Sequence, residues 1–111
     1  MTNYEPGDIV LVDFPFSGSE QTRRRPALVL LDSGDADVLV ARVTSQLRQD
    51  MFDVELADWR ADGLLLPSVV RLHKLATIEK TLVTRRLGTL QSIDHQAVAI
   101  IFGKLVAGWT E

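Results

Sequence analysis

Before Gly88 the chain leaves almost no room for a helix, because turn-forming clusters interrupt every apolar run after a few residues. Pro6-Gly7 is a turn, and Asp8 to Phe14 reads as a strand whose nearly continuous apolar character calls for burial on both faces. Pro15 to Arg24 reads as a loop. Ala27 to Leu31 and Val38 to Thr44 are two more strands, and Asp32-Ser33-Gly34-Asp35 between them makes a hairpin. A polar link, Ser45 to Asp50, leads to Phe52-Asp53-Val54-Glu55-Leu56, an alternation that marks a strand with one wet face. Ala57 to Gly63 is an irregular acidic connection, Ser68 to His73 a strand, Ala76 to Thr81 a short helical turn, and Leu82 to Leu87 a last strand. Short strands joined by tight turns predict a small antiparallel barrel.

The end of the chain changes period. Ser92 suits a helix N-cap, Asp94 complements the dipole in the first turn, and Gly108 can stop the helix. Ile93, Ala97, Ile100, Ile101 and Leu105 form one apolar stripe; Val98, Phe102, Val106 and Trp109 form a second. A helix apolar over so much of its circumference needs two surfaces to cover it. One is the barrel. The other is either a second subunit, which we expect, or loops of the same chain.

At 111 residues the chain makes one domain, 1–111, with a single core. It has no cysteine, so disulfides and thiol nucleophiles are excluded, in keeping with a reducing cytoplasm. The longest uninterrupted apolar stretch, Ala97 to Phe102, is too short to span a bilayer. Two histidines, His73 and His95, without cysteine make a poor metal set, and no cofactor is expected. The glycines are spread singly, so no phosphate-cradling loop is present.

A formal charge of -3 argues against indiscriminate coating of nucleic acid. The cations are nevertheless clustered at Arg23 to Arg25, at Arg71 with Lys74, and at Arg85 with Arg86, so folding can still gather them into one groove. The junction at Arg25-Pro26 is the most specific of these. Proline pushes the residue before it into an extended conformation and lacks the amide proton of a central strand, so Pro26 fits a strand's first position and Arg25 is held least mobile of the three arginines. Its planar fork can grip two phosphate oxygens. The run by itself equally describes a solvated loop.

Larger motifs now line up in order: Gly7-Asp8-Ile9-Val10-Leu11-Val12-Asp13, Gly18-Ser19-Glu20-Gln21, Arg25-Pro26-Ala27-Leu28-Val29-Leu30, Val43-Thr44-Ser45, Ser68-Val69-Val70-Arg71, Thr77-Ile78-Glu79-Lys80 and Leu87-Gly88-Thr89-Leu90. Together they resemble the MazF/PemK family of toxin endoribonucleases over almost the whole chain. The resemblance implies an SH3-like barrel, mainly β with a C-terminal α-helix, a homodimer, a small cognate antitoxin, and metal-independent, sequence-specific cleavage of single-stranded RNA to 2′,3′-cyclic phosphate and 5′-hydroxyl ends.

Carried over by position, the resemblance makes Arg25 the clamp on the transition-state charge and Thr44 a hydrogen-bond donor to the scissile phosphate. Ser19 and Glu20 match loop residues that contact RNA, with Glu20 the first candidate to accept the 2′ proton; its plainer reading is a carboxylate paired with Arg23 or Arg24. Gln21, Arg23, Arg24 and Ser45 complete the expected RNA contacts. Arg71 matches an arginine that some members use, but His73 stands where those members carry aspartate. It either takes over proton transfer by different chemistry or is a structural residue. The competing reading of the whole chain is a non-enzymatic binding module, including a gyrase poison on the same barrel.

Overall fold

The computed structural model describes residues 3–15 and 22–110. Strand β1 (Asp8–Pro15) pairs with β2 (Thr22–Leu31) and, on its other edge, with β6 (Val83–Thr89). Strand β2 pairs with β3 (Asp37–Thr44), which pairs with the long β5 (Val69–Glu79); the short β4 (Asp53–Glu55) forms the far edge. The result is one antiparallel sheet in the order β4-β5-β3-β2-β1-β6, with a single helix, α1 (Ser92–Val106). The two edge strands are not hydrogen-bonded to each other, so the barrel is open. Among the described residues no helix is long and apolar enough to cross a membrane.

Both faces of the sheet are buried, as the continuous apolar run of β1 requires. Ile9, Leu28, Ala41, Val43, Val70 and Leu72 pack with Leu90 and Val98 of the helical end, whereas Val10, Val12, Ala27, Val29, Val38 and Val40 form the opposite cluster with Ile78. The hairpin turn is built by its own carboxylates: Asp32 Oδ1 accepts from Gly34 N at 2.8 Å, and Gly34 takes φ +93°, which a residue with Cβ rarely adopts. Asp32 also meets Lys80 Nζ at 2.8 Å and the Tyr4 amide at 2.7 Å. The hydrogen bond from Lys80, followed by that from Tyr4, holds its carboxyl down to about 2.

Several boundaries differ from the expected ones. The three arginines lie in β2 rather than on a loop, paired Arg23 to Phe14, Arg24 to Asp13 and Arg25 to Val12. Pro26 is therefore inside the strand, opposite Leu11, not its first residue. Pairing of β2 with β3 begins only at Ala27, so Pro26 has a strand on one side alone, where a missing amide proton is tolerated. Ala76 to Glu79 is strand rather than helical turn, because these residues pair with Asp37 to Val40; a 3-10 turn follows at Lys80–Leu82. The last strand runs from Val83 to Thr89, past the expected end at Leu87, so Gly88 lies within it.

The helix departs from expectation at each end. Gln91, not Ser92, is the N-cap, and no side chain bonds there; a 3-10 turn containing Gly108 follows Val106. Its buried side draws on both expected stripes, Ala97, Val98, Ile101, Phe102 and Leu105, leaving Ile93, Ile100 and Trp109 exposed. Asp94 faces inward at 1 % exposure, accepting from the Ala57 amide at 2.8 Å and the Asp58 amide at 2.9 Å. It ties the helix to the 57–64 connection, which bridges the two open edges.

That connection presses Gly63 against β6. A Cβ on Gly63 would strike the Leu87 carbonyl, one on Gly88 would strike the Asp62 carbonyl, and Gly63 has φ +106°, so both glycines are required by contact. Asp62, fully buried, accepts from Gln91 N at 2.7 Å through Oδ1, while Oδ2 meets no donor. A proton on Oδ2, given to Asp94, would satisfy it. Burial, then this bond to Asp94, pushes the Asp62 carboxyl up to about 7.

The folded chain holds this proton more tightly than the unfolded one, so stability from Asp62 is complete below the ordinary carboxyl value of 3.8 and is lost as pH climbs through about 7. Asp62→Asn keeps the acceptor for Gln91 and offers Asp94 an amide donor that cannot ionise. We expect the variant to be more stable than wild type at pH 8 by about 1–3 kcal/mol and to lose much of the decline between pH 5 and 7. Urea unfolding across that range checks it; superimposable pH profiles would contradict the shared proton.

Candidate functional site

The last pair of the β2–β3 ladder is Ala27 with Arg42. Carried two residues further, the same register sets Arg25 across from Thr44, where the ladder has stopped. The strands part there, and both residues line one groove of about 420 Å³. Leu11, Pro26 and Val43 form its apolar floor, Gly63 to Leu66 one wall, and Arg85 the other side. Leu65 is 91 % exposed, so this wall is apolar surface open to a ligand.

The polar groups of the groove are arranged to receive an anion. Arg25 is half-buried, and neither it nor Arg85 has an ion pair or hydrogen bond among the described residues. Thr44 Oγ1 accepts from the Gln46 amide at 3.1 Å, which fixes the rotamer and leaves the hydroxyl proton to be donated outward. Two guanidinium groups and a poised hydroxyl over an apolar floor suit a phosphate carrying a flat apolar base.

The other expected contacts separate into groups. Ser45 lines the same groove. Arg24 is exposed and pairs through Nε with Asp13 Oδ1 at 3.0 Å. Arg23 lines a different hollow, shared with Arg25. Ser19, Glu20 and Gln21 lie outside the described residues.

Arg71 and His73 line neither groove. The Arg71 side chain, 10 % exposed, bonds through Nε to Asp53 Oδ1 at 3.0 Å and through Nη2 to Asp50 Oδ2 at 2.8 Å. Its Nη2 also lies 3.2 Å from His73 Nε2. A guanidinium only donates, so that nitrogen is the acceptor and the histidine proton is assigned to Nδ1, 4.0 Å from Asp53 Oδ1. The ring tilts against Phe52 at 6.1 Å between centroids. These residues form a packed ionic knot between β4 and β5.

Sequence reasoning did not assign Arg85 or the leucine wall to the site, and it placed Asp53 on a wet face. The alternation in 52–56 was correct for the backbone; the Asp53 side chain is nevertheless 1 % exposed, because Arg71 and His73 cover it from the neighbouring strand. A single sequence carries no signal for that pairing.

Comparison with known proteins gives a consistent family. The model for PemK-like, MazF-like toxins of type II toxin–antitoxin systems matches residues 5–106. No curated protein sequence matches the chain. Among solved structures, the MazE–MazF complex of Deinococcus radiodurans aligns with TM-score 0.76 at 24 % identity, covering 99 % of this chain and 98 % of that one. The Mycobacterium tuberculosis toxin MazF-mt6 gives 0.72 at 24 % identity over 90 % and 96 % of the two chains. An endoribonuclease in complex with its cognate antitoxin, from a mycobacterial species, gives 0.74 at 17 % over 91 % and 92 %. At these identities the likeness to solved structures is one of fold.

The ionic knot makes its own prediction. Removing the buried partner of a buried arginine strands a charge, so Asp53→Ala should destabilise the fold by about 3 kcal/mol even with Asp50 in place. Chemical denaturation measures it. A change below about 0.5 kcal/mol would show that Arg71 does not depend on Asp53.

Proposed function

The chain belongs to the MazF/PemK family of type II toxins, and on that premise we propose that it is an endoribonuclease that cuts single-stranded RNA in the groove between Arg25 and Thr44. The observation that carries this reading is that those two residues line one hollow, the arginine side chain without an ion pair or hydrogen bond among the described residues and the threonine hydroxyl held by the Gln46 amide.

The reaction is an internal transfer. The ribose 2′-oxygen attacks the adjacent phosphorus, the bond from phosphorus to the 5′-oxygen breaks, and the products are a 2′,3′-cyclic phosphate and a 5′-hydroxyl. Charge grows on the non-bridging oxygens as the phosphorane forms. Arg25, always charged and bearing parallel donors, stabilises it, and the Thr44 hydroxyl adds a further bond. A base must take the 2′ proton and an acid must return one to the leaving 5′-oxygen. Glu20 is our candidate for the first. His73, whose Nε2 already accepts from Arg71, would have to leave its knot to serve in either step. No step is routed through a metal ion.

Two partners accompany this reading. Related folds have been solved with an antitoxin bound, and a cationic groove with apolar walls suits an acidic, aromatic tail competing with RNA for the same donors. The uncovered helix face, with Ile93 at 57 % and Ile100 at 63 % exposure, suits a second copy of the chain.

Arg25→Ala should reduce cleavage of a long transcript about 10²–10³-fold, and Thr44→Ala by a similar or smaller factor, without loss of stability. Mapping RNA ends after incubation in EDTA reads both. Intact RNA across many sequences with wild type would overturn the proposal. Ile100→Glu should shift the protein from dimer to monomer in light scattering; a wild type that is already monomeric would remove the dimer from the reading.

A further inference from the structure

Arg25 lines a second hollow as well, of about 430 Å³, on the opposite face of the sheet end. Antiparallel partners share a face, so the pairs Val12 with Arg25 and Ala27 with Arg42 place Arg25, Ala27, Arg42 and, two residues on, Thr44 on one face, while Leu11 and Pro26 lie on the other; Arg25 and Thr44 border the groove described above from the end of the ladder. The floor of the second hollow is apolar, with Phe14, Val40, Leu75 and Ala76. Its rim carries Arg42 and Lys74, both exposed and without an ion pair or hydrogen bond among the described residues.

Lys74 is brought there by an irregularity in the sheet. Ala41 pairs with Leu75, but the next residue, Arg42, pairs with Arg71, so Leu72, His73 and Lys74 have no opposite residue in β3. The Leu72 amide bonds to the Phe52 carbonyl at 3.0 Å, fixing the bulge against β4. Bulges of this kind re-aim side chains, and this one delivers a lysine beside Arg42. Like charges brought together without a carboxylate raise the energy of the empty site and are relieved by an anion.

We infer that this hollow holds a nucleotide of the bound single-stranded RNA next to the scissile phosphate, its base against Phe14 and its phosphate against Arg42 and Lys74. The ligand class rests on the nuclease reading, and continuity selects it. A strand whose phosphate lies at the gap between Arg25 and Thr44 passes Arg25 to reach the second face, where the same arrangement of cations over apolar floor recurs. Aromatic side chains stack on any base, so Phe14 contributes affinity, while Arg42 sits where it can also meet a base edge. None of these three residues is needed for the bond-breaking step.

The test is binding of labelled, mixed-sequence single-stranded RNA by fluorescence anisotropy across a salt series in EDTA, alongside cleavage mapping. Arg42→Gln/Lys74→Gln should bind roughly tenfold more weakly and lower the salt slope by about 0.7, the value for one neutralised phosphate on a single strand. Phe14→Ala should weaken binding roughly fivefold or more with the slope unchanged. Melting of the double variant should match wild type, since both side chains are exposed.

Wild-type affinity and slope in the double variant would overturn the inference; if wild type and variant then both cut RNA, the nuclease reading stands alone. Conversely, RNA bound through Arg42 and Lys74 but never cut would leave this site standing and sink the nuclease. A double variant that binds RNA normally but loses an acidic antitoxin peptide would assign the hollow to that partner instead, against the inference.

Discussion

The parting of β2 from β3 is the constraint from which the site follows. An arginine side chain at a fully paired strand position lies over its neighbours; one at a position where the ladder has ended stands beside a gap. Pro26 sits at that boundary, bonded into the sheet on the β1 side and free of any partner on the β3 side. It holds Arg25 extended, so the guanidinium is presented from a strand and not from a mobile loop. Thr44, at the end of β3, is fixed from the other side by the Gln46 amide. Two residues on different strands thereby border one groove, each carried on a backbone that is already ordered before binding.

Charge is distributed to the same end. Arg24, Arg71, Lys80 and Arg86 each have a carboxylate within 3.1 Å, so these cations serve the fold. Arg25, Arg42, Lys74 and Arg85 have none among the described residues, and all four border the two hollows. A chain with net charge -3 can therefore present a concentrated positive field over a small area while several of its other cations are neutralised locally. That separation favours a narrow, oriented strand over general adhesion to polyanions.

Much of the fold was legible because turn chemistry is local. Asp32 to Asp35 closes a hairpin through its own side chains, and the apolar run of β1 declares two buried faces. What failed was set by partners distant in sequence. Ala76 to Glu79 looks helical in isolation and becomes strand because β3 is long enough to pair with it. At the helix start Asp62 takes the amide of the N-cap residue Gln91 from the 57–64 connection, a contact with no periodic signature. For the site, Arg25 and Thr44 could be named from ordered motifs, but not that β2 and β3 would separate between them. Arg85 and Lys74 carry no motif, and reach their hollows only through the twist of β6 against β1 and the bulge in β5.

The buried carboxyl pair then explains how an open barrel keeps its groove in shape. Strands β4 and β6 are not joined by hydrogen bonds, so the edges are held by the shared core and by the 57–64 connection, which continues directly into the leucine wall. Its attachment consists of a glycine contact that tolerates no methyl group and carboxylates that accept amides from both sides of the seam. Because burial and the neighbouring Asp94 favour the protonated form of Asp62, the wall is anchored more firmly by a neutral Asp62 than by an ionised one. Ionisation places two negative charges in one buried joint, and the strain falls on the segment that shapes the groove, while Arg25 and Thr44, carried on the central strands, stay where the sheet puts them.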